Sequence, residues 1–319
     1  MKLAFVFPGQ GSQSVGMMQG WAARAEVRQT FVEASDALGQ DLWLLVNEGP
    51  AELLNQTMNT QPAMLAADVA VWRVWCAAGG QTPEIIAGHS LGEYAALVAA
   101  GALDFGDAIR LVRFRAAAMQ DAMPEGLGAM AAILGLDDET VRTVCVEAAA
   151  GEVVEAVNLN SPGQVVIAGH KAAVDRAITL ALEKGAKRAL LLPVSVPSHS
   201  SLMQAAAERL LDYLQAIQIL APTIAILHNT DVASHQSPER IRRALALQLH
   251  TPVRWTETVH ALKKSGAERL IECGPGKVLA GLTKRIDPGL PALALVDEAS
   301  LQQVLRLSDS ATPHCELAK

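Results

Sequence analysis

Residues 84–100 read EIIAGHSLGEYAALVAA and combine three structural signals within a short span. The stretch Glu84 to Gly88 is an apolar run of strand length, and the stretch Tyr94 to Ala100 has the Ala, Leu and Val composition of a buried helix. Gly88 and Gly92 at the junction between them permit a sharp turn. An apolar strand, a sharp turn and an apolar helix form the βα unit of a parallel sheet with helices on its faces. The sequence therefore predicts an α/β fold.

The turn itself reads Gly88-His89-Ser90-Leu91-Gly92, which is a G-x-S-x-G motif. The glycines allow a backbone so tight that the serine hydroxyl stands out from the sheet edge, above a helix N-terminus that favours negative charge. The backbone N–H of Leu91 can then stabilise an oxyanion. An incidental serine in a glycine-flanked turn is the alternative, but the strand-to-helix context favours Ser90 as a nucleophile.

Similar patterns on both sides of this unit indicate a large domain. Leu3 to Phe7 is a continuous apolar run that stops at the glycine-rich segment 8–13, as a buried strand does when it leads into a loop. The later part of the chain predicts long amphipathic helices at 201–217, 238–249 and 256–265, which alternate with strands at 225–227 and 269–273. We expect residues 1–125 and 196–307 to form one α/β-hydrolase-like domain with a parallel sheet, followed by a frayed tail at 308–319.

The middle of the chain has a different order of elements. It predicts, in turn, a strand, a helix, two strands, a helix and a strand: 128–136, 137–150, 153–160, 164–169, 171–184 and 187–194. This βαββαβ order is the ferredoxin-like pattern. We therefore expect residues 126–195 to form a small ferredoxin-like domain inserted into the large one.

Composition excludes several classes of protein. The chain has 319 residues, half of them hydrophobic, so it can bury a sizeable core and is neither disordered nor fibrous. Lys and Arg number 26 against 33 Asp and Glu, which gives a net charge of -7. No global positive field is therefore present to attract nucleic acid.

The cysteines and apolar runs bear on the compartment. Four cysteines lie far apart, without a CxxC spacing and mostly within apolar runs: Cys76, Cys145, Cys273 and Cys315. This pattern predicts buried thiols rather than zinc ligands or disulfides. The N-terminal apolar run is too short for a signal peptide, and no run approaches the roughly 20 apolar residues of a membrane span. We expect a protein of the reducing cytoplasm.

A serine nucleophile requires a general base, and the chain contains eight histidines. His89 adjoins the serine on a tight turn, so we expect it to point away as a hydrogen-bonded structural residue. Three others lie near the ends of apolar runs, where a large α/β domain has its functional loops: His199, His228 and His250. The residues alone leave the choice among these three open. The remaining four are predicted to be solvated: His170, His235, His260 and His314.

Two kinds of charged group complete the set of candidates. No carboxylate suited to a hydrolase triad is evident, because Asp231 near His228 is typical of a solvated turn residue. Arg115 lies in a predicted helix over 107–119, which also carries Arg110 and Arg113. Spacings of three and two residues cannot all share one helix face. We expect one of these arginines to turn inward as a bidentate partner for a substrate carboxylate.

Five motifs, in this order, resemble those of bacterial malonyl-CoA:acyl carrier protein transacylases. The resemblance extends from about residue 2 to about residue 306, and such an ordered set is far more specific than any single motif. The inserted ferredoxin-like domain is also a property of that family. The motifs are Phe7-Pro8-Gly9-Gln10-Gly11-Ser12-Gln13, Gly88-His89-Ser90-Leu91-Gly92-Glu93-Tyr94, Asn160-Ser161-Pro162-Gly163-Gln164, Val196-Pro197-Ser198-His199 and Glu272-Cys273-Gly274-Pro275-Gly276-Lys277.

The resemblance implies a role for each matching residue. Ser90 is the nucleophile, His199 is its base, and the main-chain carbonyl of Gln248 takes the place of the missing acid. Arg115 matches the arginine that binds the malonyl carboxylate. The remaining matches are two oxyanion donors and a residue lining the cleft: Gln10, Leu91 and Asn160. Related polyketide synthase domains that select malonyl have phenylalanine where this chain has Ser198, which leaves tolerance of methylmalonyl open.

The resemblance also implies the reaction and its partners. A malonyl group would pass from malonyl-CoA to Ser90 and then to the phosphopantetheine thiol of an acyl carrier protein, supplying fatty acid synthesis without a metal or bound cofactor. The enzyme is expected to be a monomer. Because carrier proteins are acidic, we expect a local basic docking site and select Lys284 and Arg285 beside the loop 274–276.

Three other functions fit parts of the sequence. A serine esterase or thioesterase shares the G-x-S-x-G turn, but it would require an acid in the triad and no arginine in the acyl pocket. The malonyl-loading subunit of a malonate decarboxylase differs in its carrier protein and genome context. A non-catalytic scaffold gives no reason to keep serine, histidine and arginine together.

Overall fold

The computed structural model describes residues 1–124, 126–194, 196–307 and 314–315. A five-stranded sheet with the order β7-β2-β1-β8-β9 lies at its centre, and all of its neighbouring strands are parallel. These strands are β1 Leu3–Phe7, β2 Ile85–Gly88, β7 Ala225–Leu227, β8 Arg269–Cys273 and β9 Ala292–Leu295.

Both faces of the large sheet are covered, which explains why its central strand is apolar at every position. Side chains alternate between the faces of a strand. Phe5 and Phe7 accordingly join the core cluster that contains most of the helices, whereas Ala4 and Val6 join a second cluster on the other face. The helices are α1 Ala25–Leu38, α2 Leu42–Glu48, α3 Ala51–Leu54, α4 Thr57–Ala77, α5 Gly92–Ala99, α6 Phe105–Ala122, α7 Asp138–Ala149, α8 Lys171–Glu183, α9 Gln204–Gln215, α10 Pro238–Gln248, α11 Trp255–Lys264, α12 Val278–Ile286 and α13 Glu298–Leu305.

The inserted ferredoxin-like unit has an antiparallel sheet with the order β4-β5-β3-β6. Its strands are β3 Gly128–Leu134, β4 Val154–Ser161, β5 Gln164–His170 and β6 Arg188–Leu191. Helices α7 and α8 pack on this sheet and form with it a separate core, rich in Val and Ala. The N–H of Leu159 donates to the carbonyl of Val253 (3.0 Å), which joins this unit directly to the large one.

The α/β fold predicted from the sequence is confirmed, and several element boundaries agree with the structure. Strands β1, β7 and β8 begin and end at the predicted residues. The predicted helix over 201–217 is instead a 3₁₀ turn at Ser201–Met203 followed by α9. The predicted strand over 187–194 ends earlier, at Leu191, two residues before Pro193, which cannot donate a ladder hydrogen bond.

The expectation that all four cysteines are thiols is wrong for one pair. Cys76 at the end of α4 forms a disulfide with Cys315, whereas Cys145 and Cys273 are buried and free. The chain at His314 and Cys315 lies along residues 79–81, and the N–H of Cys315 donates to the carbonyl of Gly80 (2.8 Å). A separation of 239 residues hid this pairing from spacing arguments. The rest of the predicted tail, 308–313 and 316–319, lies outside the described residues.

Within the described ranges, none of the helices is both long and apolar enough to cross a membrane. The longest, α4, is almost wholly buried against the large sheet and its neighbouring helices.

Candidate active site

The G-x-S-x-G turn is as tight as its sequence predicts. A Cβ atom on Gly88 would lie 1.9 Å from the carbonyl carbon of Gly92, and a Cβ on Gly92 would lie 2.1 Å from the carbonyl oxygen of Phe7. Only glycine fits these close backbone approaches. Ser90 itself has a φ of +51°, a rare conformation for a residue with a side chain. The turn therefore presents the serine where β2 passes into α5.

Ser90 is hydrogen-bonded to one of the three candidate histidines. Its Oγ lies 2.8 Å from Nε2 of His199, and Nδ1 of His199 lies 2.7 Å from the main-chain carbonyl oxygen of Gln248. Because a carbonyl only accepts, the ring carries its proton on Nδ1, and Nε2 is free to accept the proton of the serine hydroxyl. This geometry is that of a nucleophile and its general base.

The electrostatic surroundings keep His199 neutral. The pKa of His199 is lowered from 6.5 to about 3, mainly by burial and in part by the positive charge of Arg115. The folded protein therefore favours the unprotonated ring, which is the form that acts as a base.

Arg115 is the arginine of α6 that turns inward, with only 2% of its surface exposed. Its Nη1 donates to Oε1 of Gln61 (2.8 Å), and its Nη2 donates to Oε1 of Gln248 (3.0 Å) and to Oγ of Ser90 (3.3 Å). Burial lowers the pKa of this guanidinium. A buried cation held by neutral amides next to the serine is suited to a substrate carboxylate.

These groups open into a cleft of about 760 Å³ between the large unit and the inserted one. Ser90, His199 and Arg115 line it, together with three further predicted residues, Gln10, Leu91 and Asn160. Oδ1 of Asn160 lies 2.8 Å from Nε2 of His89, whose ring also packs against Trp255. The wall from the inserted unit includes Met130, Asn158 and Val166.

The other sequence candidates lie away from the serine hydroxyl. His228 is fully buried with Nδ1 2.7 Å from Oε1 of Glu93, and Asp231 pairs with His235 instead (2.7 Å). Lys284 and Arg285 occupy the last turn of α12 and do not line the cleft. Nη1 of Arg285 donates to Oε1 of Gln164 in the inserted unit (2.6 Å).

Three polar residues near the site were missed by the sequence reasoning. Glu93 and Asn229 are fully buried behind the turn, and Gln61 holds Arg115. Glu93 offered a signal, since it is the one charged residue in the apolar span 84–100 that follows the serine. Gln61 and Asn229 carried none, because only the folded chain brings α4 and the end of β7 to the serine.

No group of three or more His, Cys, Asp or Glu side chains suited to a metal ion occurs among residues for which the structure gives positions. The arrangement supports covalent chemistry at a serine, aided by a histidine and an arginine. An α/β fold with such a site defines an enzyme that transfers acyl groups through a serine.

The comparisons with known proteins agree with this class. The acyl transferase domain family matches residues 4–288. A malonyl CoA-acyl carrier protein transacylase of Escherichia coli is 56% identical over 307 residues, covering 96% of this chain and 99% of that protein. The protein of the same name from Haemophilus influenzae is 59% identical over 305 residues, covering 95% and 98%. The chain therefore belongs to the acyl transferase family and, within it, to the malonyl CoA-acyl carrier protein transacylases.

Solved structures show the same similarity over the whole fold. An acyl-carrier-protein S-malonyltransferase from Burkholderia pseudomallei superposes with a TM-score of 0.94 at 59% identity, covering 96% of this chain and all of the other. A malonyl-transacylase in complex with a type II polyketide synthase acyl-carrier protein gives a TM-score of 0.95 at 55% identity, covering 97% and 100%.

Proposed function

We propose that this enzyme transfers a malonyl group from malonyl-CoA to the phosphopantetheine thiol of an acyl carrier protein, with Ser90 as the covalent carrier. The observation that carries the proposal is the chain of contacts Ser90 Oγ, His199 Nε2 and Gln248 carbonyl in one cleft with a buried Arg115. The names of the similar proteins, and the complex of one of them with a carrier protein, support the two substrates.

The first half-reaction forms the acyl-enzyme. Oγ of Ser90 attacks the thioester carbonyl while its proton passes to Nε2 of His199, and the main-chain N–H groups of Leu91 and Gln10 stabilise the oxyanion. The C–S bond then breaks, and the coenzyme A thiolate leaves with the proton from His199. The second half-reaction repeats these steps in reverse with the carrier thiol as nucleophile, so the kinetics are ping-pong. No bound cofactor is required.

Arg115 provides the selectivity for a carboxylated acyl group. A malonyl carboxylate that enters the cleft loses hydration, and a guanidinium replaces the lost water with charged hydrogen bonds. Pairing with the carboxylate also reduces the positive field at His199. Since that field lowers the pKa of His199, a bound malonyl group helps the ring to hold the proton until coenzyme A leaves.

The decisive experiment is intact mass spectrometry after mixing with malonyl-CoA. We expect a malonyl adduct on the unmodified protein that is lost when a carrier protein with its phosphopantetheine is added. The Ser90→Ala protein should give no adduct. An adduct that persists in this variant would contradict the assignment, and hydrolysis without transfer to the carrier thiol would instead indicate a thioesterase.

We also propose how the chain is divided into domains and in which cellular compartment the enzyme acts. The separate Val- and Ala-rich core of the inserted unit supports a small domain at 126–195 between two parts of a large domain, 1–125 and 196–307. Because the substrates belong to fatty acid synthesis, the proposed compartment is the cytoplasm.

The carrier protein is proposed to dock at the last turn of α12. Lys284 is exposed there, and Arg285 bridges to the inserted unit through Gln164. An acidic carrier would be attracted to this pair. Lys284→Glu should raise KM for the carrier protein several-fold without affecting acylation by malonyl-CoA. Lys264→Glu, at an exposed site on α11, is the matched control. An equal effect on both half-reactions would argue against docking at α12.

A further inference from the structure

Glu93 is a fully buried carboxylate in the first turn of α5, three residues after Ser90. Three polar groups surround it: the N–H of Asn229 (3.0 Å) and Nε2 of Gln248 (2.9 Å) donate to its Oε2, and Nδ1 of His228 lies 2.7 Å from its Oε1. Oε2 of Glu93 therefore accepts two N–H groups, and Nδ1 of His228 can donate to Oε1 in the tautomer that carries its proton there. Glu93 does not line the cleft, so it acts on the substrate through other residues.

Gln248 connects Glu93 to Arg115. Its Nε2 donates to Glu93 and to the carbonyl oxygen of Ser90 (3.0 Å), whereas its Oε1 accepts from Nη2 of Arg115 (3.0 Å). A carboxylate only accepts and a guanidinium only donates, so the charges on either side permit one orientation of this amide. Glu93 therefore fixes the acceptor that holds Arg115 beside Ser90.

The same arrangement separates two opposite charges by a single amide group. Across the described ranges, Arg115 forms no direct ion pair, and the charges of Tyr94 and then of Glu93 raise the pKa of its guanidinium against the larger effect of burial. Glu93 thus compensates the buried cation while leaving the side of the guanidinium that faces the cleft free for a substrate. A carboxylate in direct contact would occupy that place.

Asn229 extends the influence of Glu93 to the nucleophile. Its main-chain N–H donates to Glu93, its Oδ1 accepts from the N–H of Ser90 (2.7 Å), and its Nδ2 donates to the carbonyl of Gly88 (2.6 Å). These bonds hold both sides of the turn in which Ser90 has its positive φ. Removing the Glu93 side chain would therefore disturb the turn as well as Arg115.

We propose that Glu93 is a positioning residue whose negative charge, acting through Gln248, weakens the hold of Arg115 on the malonyl carboxylate. This inference rests on the proposed function. A ping-pong enzyme must release the acyl group after binding it, so tight binding of the malonyl group in both half-reactions would slow transfer. Glu93 keeps Arg115 in place and limits its attraction for anions.

Glu93→Gln removes the charge while the hydrogen bonds can remain. Nε2 of His228 is buried and has no partner among described residues, so the ring can move its proton there. Nδ1 of His228 then accepts from the new amide nitrogen, and the new amide oxygen accepts from Asn229 and Gln248. This variant should therefore fold with nearly unchanged stability. Glu93→Ala leaves three buried donors without an acceptor and should be strongly destabilised.

The test uses calorimetric binding of malonyl-CoA and acetyl-CoA to the Ser90→Ala protein, in which no acyl-enzyme forms. Adding Glu93→Gln should tighten malonyl-CoA about 10-fold, or about 1.4 kcal/mol, because a negative charge is lost near the bound carboxylate. Acetyl-CoA should change less than about 2-fold, and Glu93→Asp, which keeps the charge, should stay close to the parent. In the protein that retains Ser90, Glu93→Gln should lower kcat for malonyl transfer. A loss of packing would not produce tighter binding of malonyl-CoA together with a lower kcat.

The outcomes distinguish this inference from the function on which it rests. Unchanged or weaker binding of malonyl-CoA on Glu93→Gln, with malonyl-CoA still preferred over acetyl-CoA by the Ser90→Ala protein, overturns the role of Glu93 alone. No preference for malonyl-CoA in the Ser90→Ala protein overturns the role of Arg115 and this inference together. A Glu93→Gln protein that does not fold overturns the claim that Glu93 acts through its charge.

Discussion

Arg110, Arg113 and Arg115 occupy a single helix and yet have different surroundings. Arg110 forms a solvent-exposed pair with Asp107, and Arg113 reaches Gln40, while Arg115 points into the cleft. The spacing in the sequence predicted that the three could not share a face. It could not identify the inward one, because that depends on how α6 packs against α4 and α5 in the folded protein.

Substitution of Arg115 should separate malonyl from acetyl transfer. A charged hydrogen bond contributes roughly 1.5–3 kcal/mol, so Arg115→Ala should lower kcat/KM for malonyl-CoA about 100-fold or more. Acetyl-CoA has no carboxylate and should react unchanged or faster. Arg115→Lys keeps the charge without the planar fork and should recover only part of the loss. Arg110→Ala is the control, and an equal loss for both acyl groups at Arg115 would indicate a structural role.

The pKa of His199 predicts a pH dependence. The rate at which phenylmethylsulfonyl fluoride inactivates the free enzyme should follow the neutral form of His199. With a pKa of about 3, the rate should stay flat from about pH 8 to about pH 5, where an ordinary histidine of pKa near 6.5 would already be protonated. Arg115→Ala removes a charge that lowers this pKa, so the acid limb should move to higher pH. Loss of inactivation near pH 6.5 in the unmodified enzyme would contradict the burial effect.

Sequence alone could not choose among the three candidate bases. His199, His228 and His250 all follow apolar runs, and the resemblance to a family was needed to select one. The structure shows the reason: the strand order β7-β2-β1-β8-β9 brings loops that are distant in sequence to one sheet edge. The segment of His199 lies beside Gln248 and Leu249, whereas His228, at the end of β7, lies behind the turn and contacts Glu93.

Among the elements, the βα unit at 85–99 was the most predictable from the sequence. Buried strands such as β1 and β2 were predictable because both faces of the large sheet are covered, which requires apolar residues at every position. Edge strand β9 is partly exposed and has no such continuous pattern. Helix α4 is buried on nearly all sides, so it lacks the one-sided stripe of an amphipathic helix and gave no periodic signal.

Two glycine substitutions test the packing of the turn. Gly88→Ala would place a methyl group 1.9 Å from the backbone of Gly92, which no side-chain movement can relieve. We expect a loss of several kcal/mol in the free energy of unfolding and no acyl-enzyme. Gly281→Ala on α12 is the matched control, because nothing lies within 4 Å of its added Cβ and alanine favours helix by up to about 1 kcal/mol. Thermal unfolding should rank Gly281→Ala at or above the unmodified protein; an active and stable Gly88→Ala protein would contradict the account of the turn.

For the molecule as a whole, function depends on two units with separate cores that meet at one cleft. The order of elements predicted the inserted ferredoxin-like unit, because its βαββαβ pattern is local in sequence. The contacts between the units could not be predicted, since they join side chains far apart in the chain, such as Ser201 and Glu155 (2.8 Å) or Arg285 and Gln164. The Cys76–Cys315 disulfide is a third long-range feature of this kind.

The disulfide predicts a redox-dependent stability without a change in activity. Closing a loop of this length restricts the unfolded chain and can add up to about 5 kcal/mol to the free energy of unfolding. Oxidised protein should therefore unfold at a temperature up to about 7 °C above protein treated with dithiothreitol. The bond lies at the end of α4 opposite Thr57, whose hydroxyl donates to Gln10. At about 1.5 Å per residue, 19 residues separate these ends by roughly 28 Å, so kcat/KM should not change on reduction.

Single cysteine variants test whether the Cys76–Cys315 pair causes the difference in stability between oxidised and reduced protein. Cys76→Ser and Cys315→Ser should each abolish the difference between oxidised and reduced protein, while Cys145→Ser should preserve it, because Cys145 is buried and free in the inserted unit. Alkylation of denatured, oxidised protein should modify two thiols, and four after reduction. Four modified thiols in both samples would show that the C-terminal contact at residues 79–81 does not bring Cys315 to Cys76. In a reducing compartment the pair stays as thiols, and contacts with residues 79–81 then hold His314 and Cys315.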